Sequence, residues 1–459
     1  MAFAYPFGNR RSRKFPGGVH PHGCESSKSL TSGKAFEAAP IPDRLIIPLS
    51  QHIGAPCVCL VKAGDTVNLG QMIGETSAFV SAPVHASASG RVLSVAPCML
   101  PNGVSVPSVI IDNDYEDRWD PSIAPDPDVA QREPQVLIAR VRAAGIVGMG
   151  GAAFPTAVKL TVPQGKSIDT LIINGVECEP YLTVDHRLML ERTGDLIDGA
   201  KLAQRIVNAK RLVFGIEANK PDAIAAVRKA AGDKAEVVEL PVRYPQGGEK
   251  QLIYALTGRS VPLGGLPSAI GAAVLNISTT IEISHALRTG RPLIERGITV
   301  SGLVREPKNL TARIGTPLVD LIEYCGGLRE ETGKIILGGP MMGIALNRLE
   351  VPLTKNSSGL LAVGGESIAP DETPCIRCGR CTRSCPMRLQ PAIIDAYARK
   401  RMWEEVGANG VLNCIECGVC TYVCPAKRQL TQMCRVGKKM AAPFVKRAQG
   451  AEPTSKKKA

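Results

Sequence analysis

The sequence predicts a multidomain protein of the α/β class: an all-β module comes first, followed by an α/β domain, a β-grasp module and a helical C-terminal domain. Three patterns predict this order. Short β-prone runs cut by turn residues follow the N-terminal segment, helices and strands alternate through the middle, and two cysteine runs lie near the end. The 459 residues are enough for roughly three domains of about 150 residues.

The net charge of +13 lies at the two ends of the chain. Residues 1–28 contain five basic residues and one acid, and residues 427–459 contain ten basic residues and one acid, so the rest is neutral. Nucleic-acid binding usually spreads basic residues over a folded face, so we expect no nucleic-acid partner. We expect the basic segment 1–44 and the basic tail 437–459 to be solvated; docking on an anionic membrane or an acidic partner is the alternative.

The cysteines and the apolar residues together bear on location. No stretch reaches the ~18 to 20 consecutive apolar residues of a membrane-spanning helix, and the first residues lack the apolar core of a signal peptide. We therefore expect a cytoplasmic location. Because that compartment keeps thiols reduced, the 15 cysteines favour metal or cluster ligation over disulfides.

Residues 45–111 are predicted to form the all-β module. The stretches "VKAGDTVNLGQMIGE" and "SAPVHASASGRV" resemble the barrel-sandwich hybrid of biotinyl and lipoyl carrier domains. Those carriers attach their cofactor to a lysine at a hairpin tip, but no lysine occurs between Lys62 and Lys159. We therefore expect a structural or partner-contacting module. The acidic, proline-rich residues 112–134 predict a linker.

Residues 135–296 are predicted to form the α/β domain. Here "VLIARVRAAG", "DTLIING", "LIDGAKLAQRIV" and "RLVFGI" alternate between helical and strand-like patterns, as in a sheet covered by helices. Residues 297–350 then predict two strands, a helix and another strand. This stretch resembles the soluble-ligand-binding β-grasp (SLBB) module.

Two cysteine runs define the predicted domain at residues 365–436. "CIRCGRCTRSCP" begins at residue 375 and "CIECGVCTYVCP" at residue 414, with identical spacing and the same final proline. In two-cluster ferredoxins with this spacing, the fourth cysteine of each run ligates the other [4Fe–4S] cluster. One cluster is therefore assigned to Cys375, Cys378, Cys381 and Cys424, and the other to Cys414, Cys417, Cys420 and Cys385.

Structural zinc is the alternative for these thiols, because cysteine pairs two residues apart also bind zinc. Zinc gives no reason for the repeated proline, so we favour clusters. The residues between the runs are helix-prone and predict a brace. We expect the other cysteines to be inert buried thiols; they are Cys24, Cys57, Cys59, Cys98, Cys178, Cys325 and Cys434.

A glycine-rich stretch, "GIVGMGGAAFPTAVK", occupies residues 145–159. Its glycines and Ala153 match the dinucleotide fingerprint only loosely, because a helical segment precedes them. The glycines still allow close approach to a phosphate or a flavin, and a tight turn is the alternative. Glu177 and Glu179 follow a strand that ends near Asn174, where ligands bind in α/β sheets. A solvated loop is the alternative for these two carboxylates.

Four stretches resemble successive motifs of a known family: "GMGGAAFPTAVK", "NGVECEPY", "YPQGGEKQLIYALTGR" and "AVLNISTTIE". They are similar to the flavoprotein subunit of respiratory NADH dehydrogenase and, more closely, to the RnfC family of the Rnf ion-translocating electron transport complex. The likeness covers nearly the whole chain. It implies FMN, NAD(H) and two clusters, membrane partner subunits, ferredoxin or flavodoxin as a distal redox partner, and a peripheral position on the cytoplasmic face of the bacterial inner membrane.

The resemblance also implies roles for individual residues. The two glutamates would be the catalytic candidates and would contact FMN or NADH together with Asn174. By position, Gly148, Gly150, Gly151 and Lys159 would cradle FMN and cofactor phosphates, Phe154 would face the NADH adenine, Glu249 would help to form the nucleotide site, and Asn276 would hold the phosphate end of FMN.

The expected function follows from the cofactors. NADH donates an electron pair, a cluster accepts one electron, and a flavin can do both. We expect reversible transfer between NAD(H), FMN and the clusters, and the resemblance implies coupling to ion transport. One alternative is a cobalamin reductase of the propanediol-utilisation type, which the N-terminal module disfavours. The other is a non-catalytic iron–sulfur conduit.

Overall fold

The computed structural model describes residues 14–365 and 371–450. Three stretches covered by the predictions lie outside it: residues 1–13, 366–370 and 451–459. The described N-terminal part contains helix α1 (Cys24–Lys28) and strand β1 (Phe36–Ala38).

This N-terminal part passes between two domains. Phe15 is buried, and the Gly18 N–H donates to the Ser384 carbonyl at 2.8 Å. Val19 pairs with Tyr244 of the α/β domain. The expectation of a solvated segment is therefore wrong for residues 14–38. An aromatic side chain and backbone groups that find partners in other domains outweigh the basic composition.

The all-β module consists of two small sheets that face each other. Its strands are β2 (Arg44–Pro48), β3 (Val58–Cys59), β4 (Thr66–Val67), β5 (Met72–Glu75), β6 (Val84–His85), β7 (Gly90–Met99) and β8 (Ser105–Asn113). The sheet orders are β2-β8-β7-β4 and β3-β5-β6. Leu45, Ile47, Val109 and Ile111 alternate with outward residues and fill the space between the sheets. The turn at residues 86–89 is buried, which fits a structural module.

The residues predicted as a linker lie against the body of the protein. Trp119 pairs with Leu69 of the all-β module, and the Arg291 guanidinium stacks 4.3 Å from the centroid of its ring. Asp126 forms ion pairs with Arg132 and Arg140. These contacts fix the connection between the all-β module and the α/β domain.

The α/β domain has a parallel sheet of order β11-β10-β9-β12. Its elements are α2 (Pro134–Ala143), α3 (Thr156–Leu160), β9 (Thr170–Gly175), α4 (Val184–Glu191), α5 (Thr193–Val207), β10 (Arg211–Glu217), α6 (Pro221–Ala231), β11 (Glu236–Leu240), α7 (Glu249–Thr257), β12 (Ala272–Asn276) and α8 (Ile277–Thr289). In β9, Leu171 and Ile173 pack on one side and Ile172 packs on the other. The strand is therefore continuously apolar, as a sheet covered on both faces requires.

The β-grasp module contains β13 (Glu295–Gly302), β14 (Lys308–Arg313), α9 (Leu318–Tyr324), β15 (Thr332–Leu337), β16 (Ile344–Ala345) and β17 (Gly359–Gly364). The sheet order is β1-β14-β13-β17-β15-β16. The predicted boundary at residue 350 leaves out β17, which pairs with both β13 and β15. The sheet also includes β1 from the N-terminal segment.

The C-terminal domain is helical, with α10 (Arg380–Arg383), α11 (Pro391–Arg399), α12 (Trp403–Ala408), α13 (Val419–Tyr422) and α14 (Leu430–Gly450). The predicted brace between the cysteine runs consists of α11 and α12. Because α14 continues to Gly450 and packs Gly437 against Val406 and Val411, the expectation of a solvated tail is wrong for residues 437–450. Over the described ranges, no helix is long and apolar enough to span a membrane.

Candidate functional site

A crevice is expected where the strand order of the α/β sheet reverses. From β9, the chain adds β10 and β11 on one side and then returns to place β12 on the other side. Helices that follow β9 and β12 therefore diverge, and ligands bind at the carboxyl ends of such strands. Asn174 and Asn276 lie at the ends of these two strands and are direct neighbours in the register. The asparagines named from the sequence thus lie together at this point.

The glycine loop, residues 145–154, lies beside Asn276. A Cβ atom on Gly150 would lie 2.7 Å from the Asn276 Nδ2, so this contact requires glycine. The Met149 N–H donates to the Thr279 hydroxyl at 2.9 Å, which holds the loop against α8. In the part of the chain that the structure describes, the N–H groups of residues 150–154 have no hydrogen-bond acceptor. Such a row of free donors suits an anionic or carbonyl-rich ligand.

Glu177 stabilises the start of α4. Its carboxylate accepts the N–H groups of Asp185 at 2.7 Å and His186 at 3.2 Å. A negative charge at a helix N-terminus is favourable. Glu177 itself has a φ of 45°, a left-handed conformation that aims this carboxylate back at the helix.

Asp185 connects α4 to the phosphate-binding candidate at the start of α8. Its Oδ2 accepts from the Asn276 Nδ2 at 2.6 Å, and its Oδ1 accepts from the Ser278 hydroxyl at 2.9 Å. Burial, with the nearby Glu177 charge, raises the pKa of Asp185 to about 6. The sequence analysis missed this residue, although it lies in the same stretch as the two glutamates.

Glu179 faces the other modules. It accepts the N–H groups of Met341 at 3.0 Å and Met342 at 2.9 Å from the β-grasp module, and the Tyr244 hydroxyl lies 3.4 Å away. Burial raises the pKa of Glu179 to about 7. The Tyr244 hydroxyl donates to the Cys417 carbonyl at 2.7 Å. The Tyr244 hydroxyl therefore lies between Glu179 and a predicted cluster ligand.

The remaining predicted residues surround the crevice. The Lys159 Nζ lies 2.7 Å from Glu249 Oε1 and donates to the Val274 carbonyl at 3.0 Å. The Asn174 amide donates to the Gly247 carbonyl at 2.9 Å. Phe154 is half-buried at the end of the glycine loop, where its carbonyl accepts the Gly148 N–H. These contacts tie the glycine loop, β9 and the start of α7 together.

The thiols assigned to one cluster line a single cavity. Cys385, Cys414, Cys417 and Cys420 surround it, so the fourth cysteine of the first run joins the first three of the second run. This is the exchange predicted from the spacing. Among the described residues, no three His, Cys, Asp or Glu side chains are grouped to hold a single metal ion. A [4Fe–4S] cluster does not need such a group, because each thiolate binds a different iron.

Cys434 lies in the same cavity, although its spacing gave it no role. A hydrogen bond from its thiol lowers the pKa of Cys420 to about 7 and lowers that of Cys414. Both thiols are therefore closer to the thiolate form in which cysteine binds metal. The donor set fits an iron–sulfur cluster, and the expectation that Cys434 is merely inert does not describe its position.

The other set of thiols lies further out. Cys381 and Cys424 pack in one apolar group with Cys420, which brings the fourth cysteine of the second run to the first. Cys375 is exposed. The two ligand sets are therefore neighbours, with one set towards the α/β domain and the other towards the surface.

A parallel sheet with a glycine loop at its crossing point, joined through Tyr244 to paired cysteine ligand sets, defines an iron–sulfur flavoprotein of the electron-transfer class. Family profiles agree with each part. Residues 13–116 match the RnfC barrel sandwich hybrid domain and residues 141–285 the Nuo51 FMN-binding domain. Residues 298–345 match the SLBB domain and residues 367–426 the 4Fe-4S dicluster domain. FMN and two [4Fe–4S] clusters are therefore the cofactors, as predicted.

The chain belongs to the RnfC family of the ion-translocating ferredoxin:NAD(+) oxidoreductase complexes. It is 47% identical over 427 residues to the RnfC-type chain of the proton-translocating complex of Clostridium ljungdahlii, covering 92% of this chain and 93% of the relative. Identity to the corresponding chain of the Na(+)-translocating complex of Acetobacterium woodii is 45%, covering 94% and 98%. Identity to that of the ion-translocating oxidoreductase complex of Rhodobacter capsulatus is 43%, covering 83% and 74%. The predicted family and four-module fold are confirmed.

Proposed function

We propose that this chain transfers electrons between NAD(H) and its two [4Fe–4S] clusters by way of FMN, as a peripheral component of an ion-translocating complex. The observation that supports this most directly is the connection from Glu179 through Tyr244 to Cys417. It joins the crevice of the α/β sheet to one cluster ligand set. When bound, the flavin supplies the exchange between electron pairs and single electrons that neither NADH nor a cluster can perform alone.

The residues of the crevice divide the binding task. The free N–H groups of residues 150–154 would receive phosphate or flavin oxygens, and Lys159 would add a positive charge beside them. Asn276, held by Asp185, would bind the phosphate end of FMN. Phe154 would pack on the adenine of NADH. Close backbone approach at the glycines excludes water from this side.

Glu177 and Glu179 are assigned a positioning and electrostatic role. Glu177 holds the first turn of α4, and Glu179 holds the β-grasp loop against the α/β domain. Because the pKa of Glu179 is raised to about 7, this carboxyl changes its charge in the neutral range and alters the field at the crevice. The nucleotide-site residues Asn174 and Glu249 complete the wall opposite the loop.

Partners follow from the relatives' names and from the positions of the ligand sets. The relatives are named as parts of ferredoxin:NAD(+) oxidoreductase complexes. Ferredoxin or flavodoxin would be the distal redox partner, and membrane proteins of the complex would hold this chain on the cytoplasmic face. Electrons would leave near the exposed Cys375. If washed membranes that contain the whole complex release this chain only when a membrane partner is deleted, peripheral attachment through partners is supported.

An anaerobic titration tests the electron route. The purified chain, reconstituted with iron, sulfide and FMN, is titrated with NADH while flavin absorbance and low-temperature EPR are recorded. Flavin bleaching followed by signals of reduced [4Fe–4S] clusters is the expected result. Clusters that respond only to dithionite, with no flavin change, would show a conduit that does not use NADH.

A further inference from the structure

Three side chains from the β-grasp region bind the back of the glycine loop. The Lys355 Nζ donates to the Gly145 carbonyl at 2.7 Å, and the Asn356 Nδ2 donates to the Gly151 carbonyl at 3.1 Å. Arg296 reaches the Met149 carbonyl at 3.5 Å. Carbonyl groups at the start, the middle and the far part of the loop are thus held from one side.

The donors of the same loop are left free. The N–H groups of residues 150–154 have no acceptor within the described parts of the chain. A backbone whose carbonyls are bound behind it presents its N–H groups towards the opposite side, which here is the side of Asn276. The supporting residues therefore determine which face of the loop meets a ligand.

Lys355 is unusual among these supports because it is fully buried at 1% exposure. Its amine donates to two backbone carbonyls, those of Pro83 and Gly145, rather than to a carboxylate. A buried amine without an opposite charge favours its neutral form. Accordingly, burial lowers the pKa of Lys355 to about 7.

The surroundings of Lys355 supply little compensation. The groups that face it are His52, Cys57 and His85 of the all-β module and Arg296 of β13; Arg142 and Glu75 lie against Cys57. Burial lowers the pKa of His85 to about 3, so this ring is neutral near pH 7. The Arg296 guanidinium donates to the Lys355 carbonyl at 2.6 Å, and its Nη2 has no partner among the described residues. Two buried cationic side chains therefore lie behind a loop whose donors face an anion site.

We propose that Lys355 and Asn356 are positioning residues that present the N–H groups of the glycine loop to the flavin cofactor, and that Lys355 takes up a proton from solvent when the anionic cofactor binds. This proposal rests on the proposed FMN site. The proton adds to the lysine amine, and the resulting ammonium offsets part of the negative charge of the bound phosphate. Nothing in the sequence pattern connects residue 355 to the loop.

The test uses the full chain with its clusters in place and its FMN removed. Flavin fluorescence gives the Kd of FMN. Calorimetry at pH 7.5 in two buffers with different ionisation enthalpies gives the number of protons taken up. Lys355→Met is expected to weaken FMN binding by about tenfold or more and to reduce proton uptake. The raised-pKa groups Asp185 and Glu179 remain in the variant, so the difference isolates Lys355.

Two further variants separate positioning from charge. Asn356→Ala is expected to weaken FMN binding by about threefold or more while leaving proton uptake unchanged. Lys34→Met removes another lysine that donates to a backbone carbonyl, that of Pro307, away from the loop. It is expected to change neither quantity, which makes it the matched control.

The outcomes are distinguishable. If the wild-type chain does not bind FMN, the proposed FMN site itself fails. If the wild-type chain binds FMN, and Lys355→Met binds it equally with unchanged proton uptake, the role of Lys355 is refuted while the site stands. If Lys355→Met does not fold, Asn356→Ala decides: weaker FMN binding at unchanged melting temperature supports the positioning role, and unchanged binding overturns it.

Discussion

Replacing Asp185 by Asn tests the geometry of the predicted phosphate site. Asp185 is 7% exposed and receives hydrogen bonds from Asn276 at 2.6 Å and from Ser278 at 2.9 Å. In Asp185→Asn, an amide group that donates would face the Asn276 amide unless one of them turns. The loss of a hydrogen bond to a charged group is worth about 1.5–3 kcal/mol. Since each 1.4 kcal/mol is tenfold, FMN binding should weaken roughly 10- to 100-fold.

Fluorescence titration of the FMN-depleted chain between pH 5 and 8 measures this effect. Burial raises the pKa of Asp185 to about 6, so below that pH the carboxyl is protonated and loses part of its accepting capacity. FMN affinity of the wild-type chain should therefore fall as the pH decreases through about 6. The variant has no such group, so its affinity should lack this step.

Asp198→Asn is the matched control for this experiment. Asp198 also holds α8, through Ser284 at 2.7 Å and Arg288 at 2.6 Å, but near the opposite end of that helix. It should change helix docking without moving Asn276. Should Asp185→Asn bind FMN within about twofold of the wild type, or should Asp198→Asn weaken binding equally, the assigned role of Asn276 would be refuted.

Three further predictions concern the loop, the N-terminal segment and the clusters. Gly150→Ala should weaken FMN binding by about tenfold or more because its Cβ would displace the amide beside it, whereas Gly148→Ala, whose Cβ finds only ordinary contacts at 3.6 Å, should bind normally in the same titration. Lys28→Met should lower the melting temperature by several degrees, since it removes the donor to two carbonyls at a cost of about 1–3 kcal/mol each; an unchanged melting curve would contradict this role. Cys417→Ser should lose about half of the iron per reconstituted chain and one EPR signal, and Cys434→Ser should keep both clusters; equal iron loss in both variants would reject the ligand assignment.

The sequence was sufficient for the modules and for the cluster ligands. Cluster ligation depends on cysteines a few residues apart, so the spacing of two runs already specifies which thiols can wrap one cluster. Parallel strands and their helices are likewise written in local periodicity. Motif resemblance added the FMN-binding domain and the family, both of which the profiles confirm.

Other features were decided only by the tertiary structure. The basic composition of the N-terminal segment predicted solvation, but β1 joins the β-grasp sheet beside β14 and Lys28 is buried against the carbonyls of Glu177 and Leu182. In the same way, Tyr244 meets Cys417 and Lys355 meets Gly145 across long separations in the sequence. Local pattern cannot encode such pairs, because a buried donor finds its acceptor only after separate modules have packed together and excluded water from both groups.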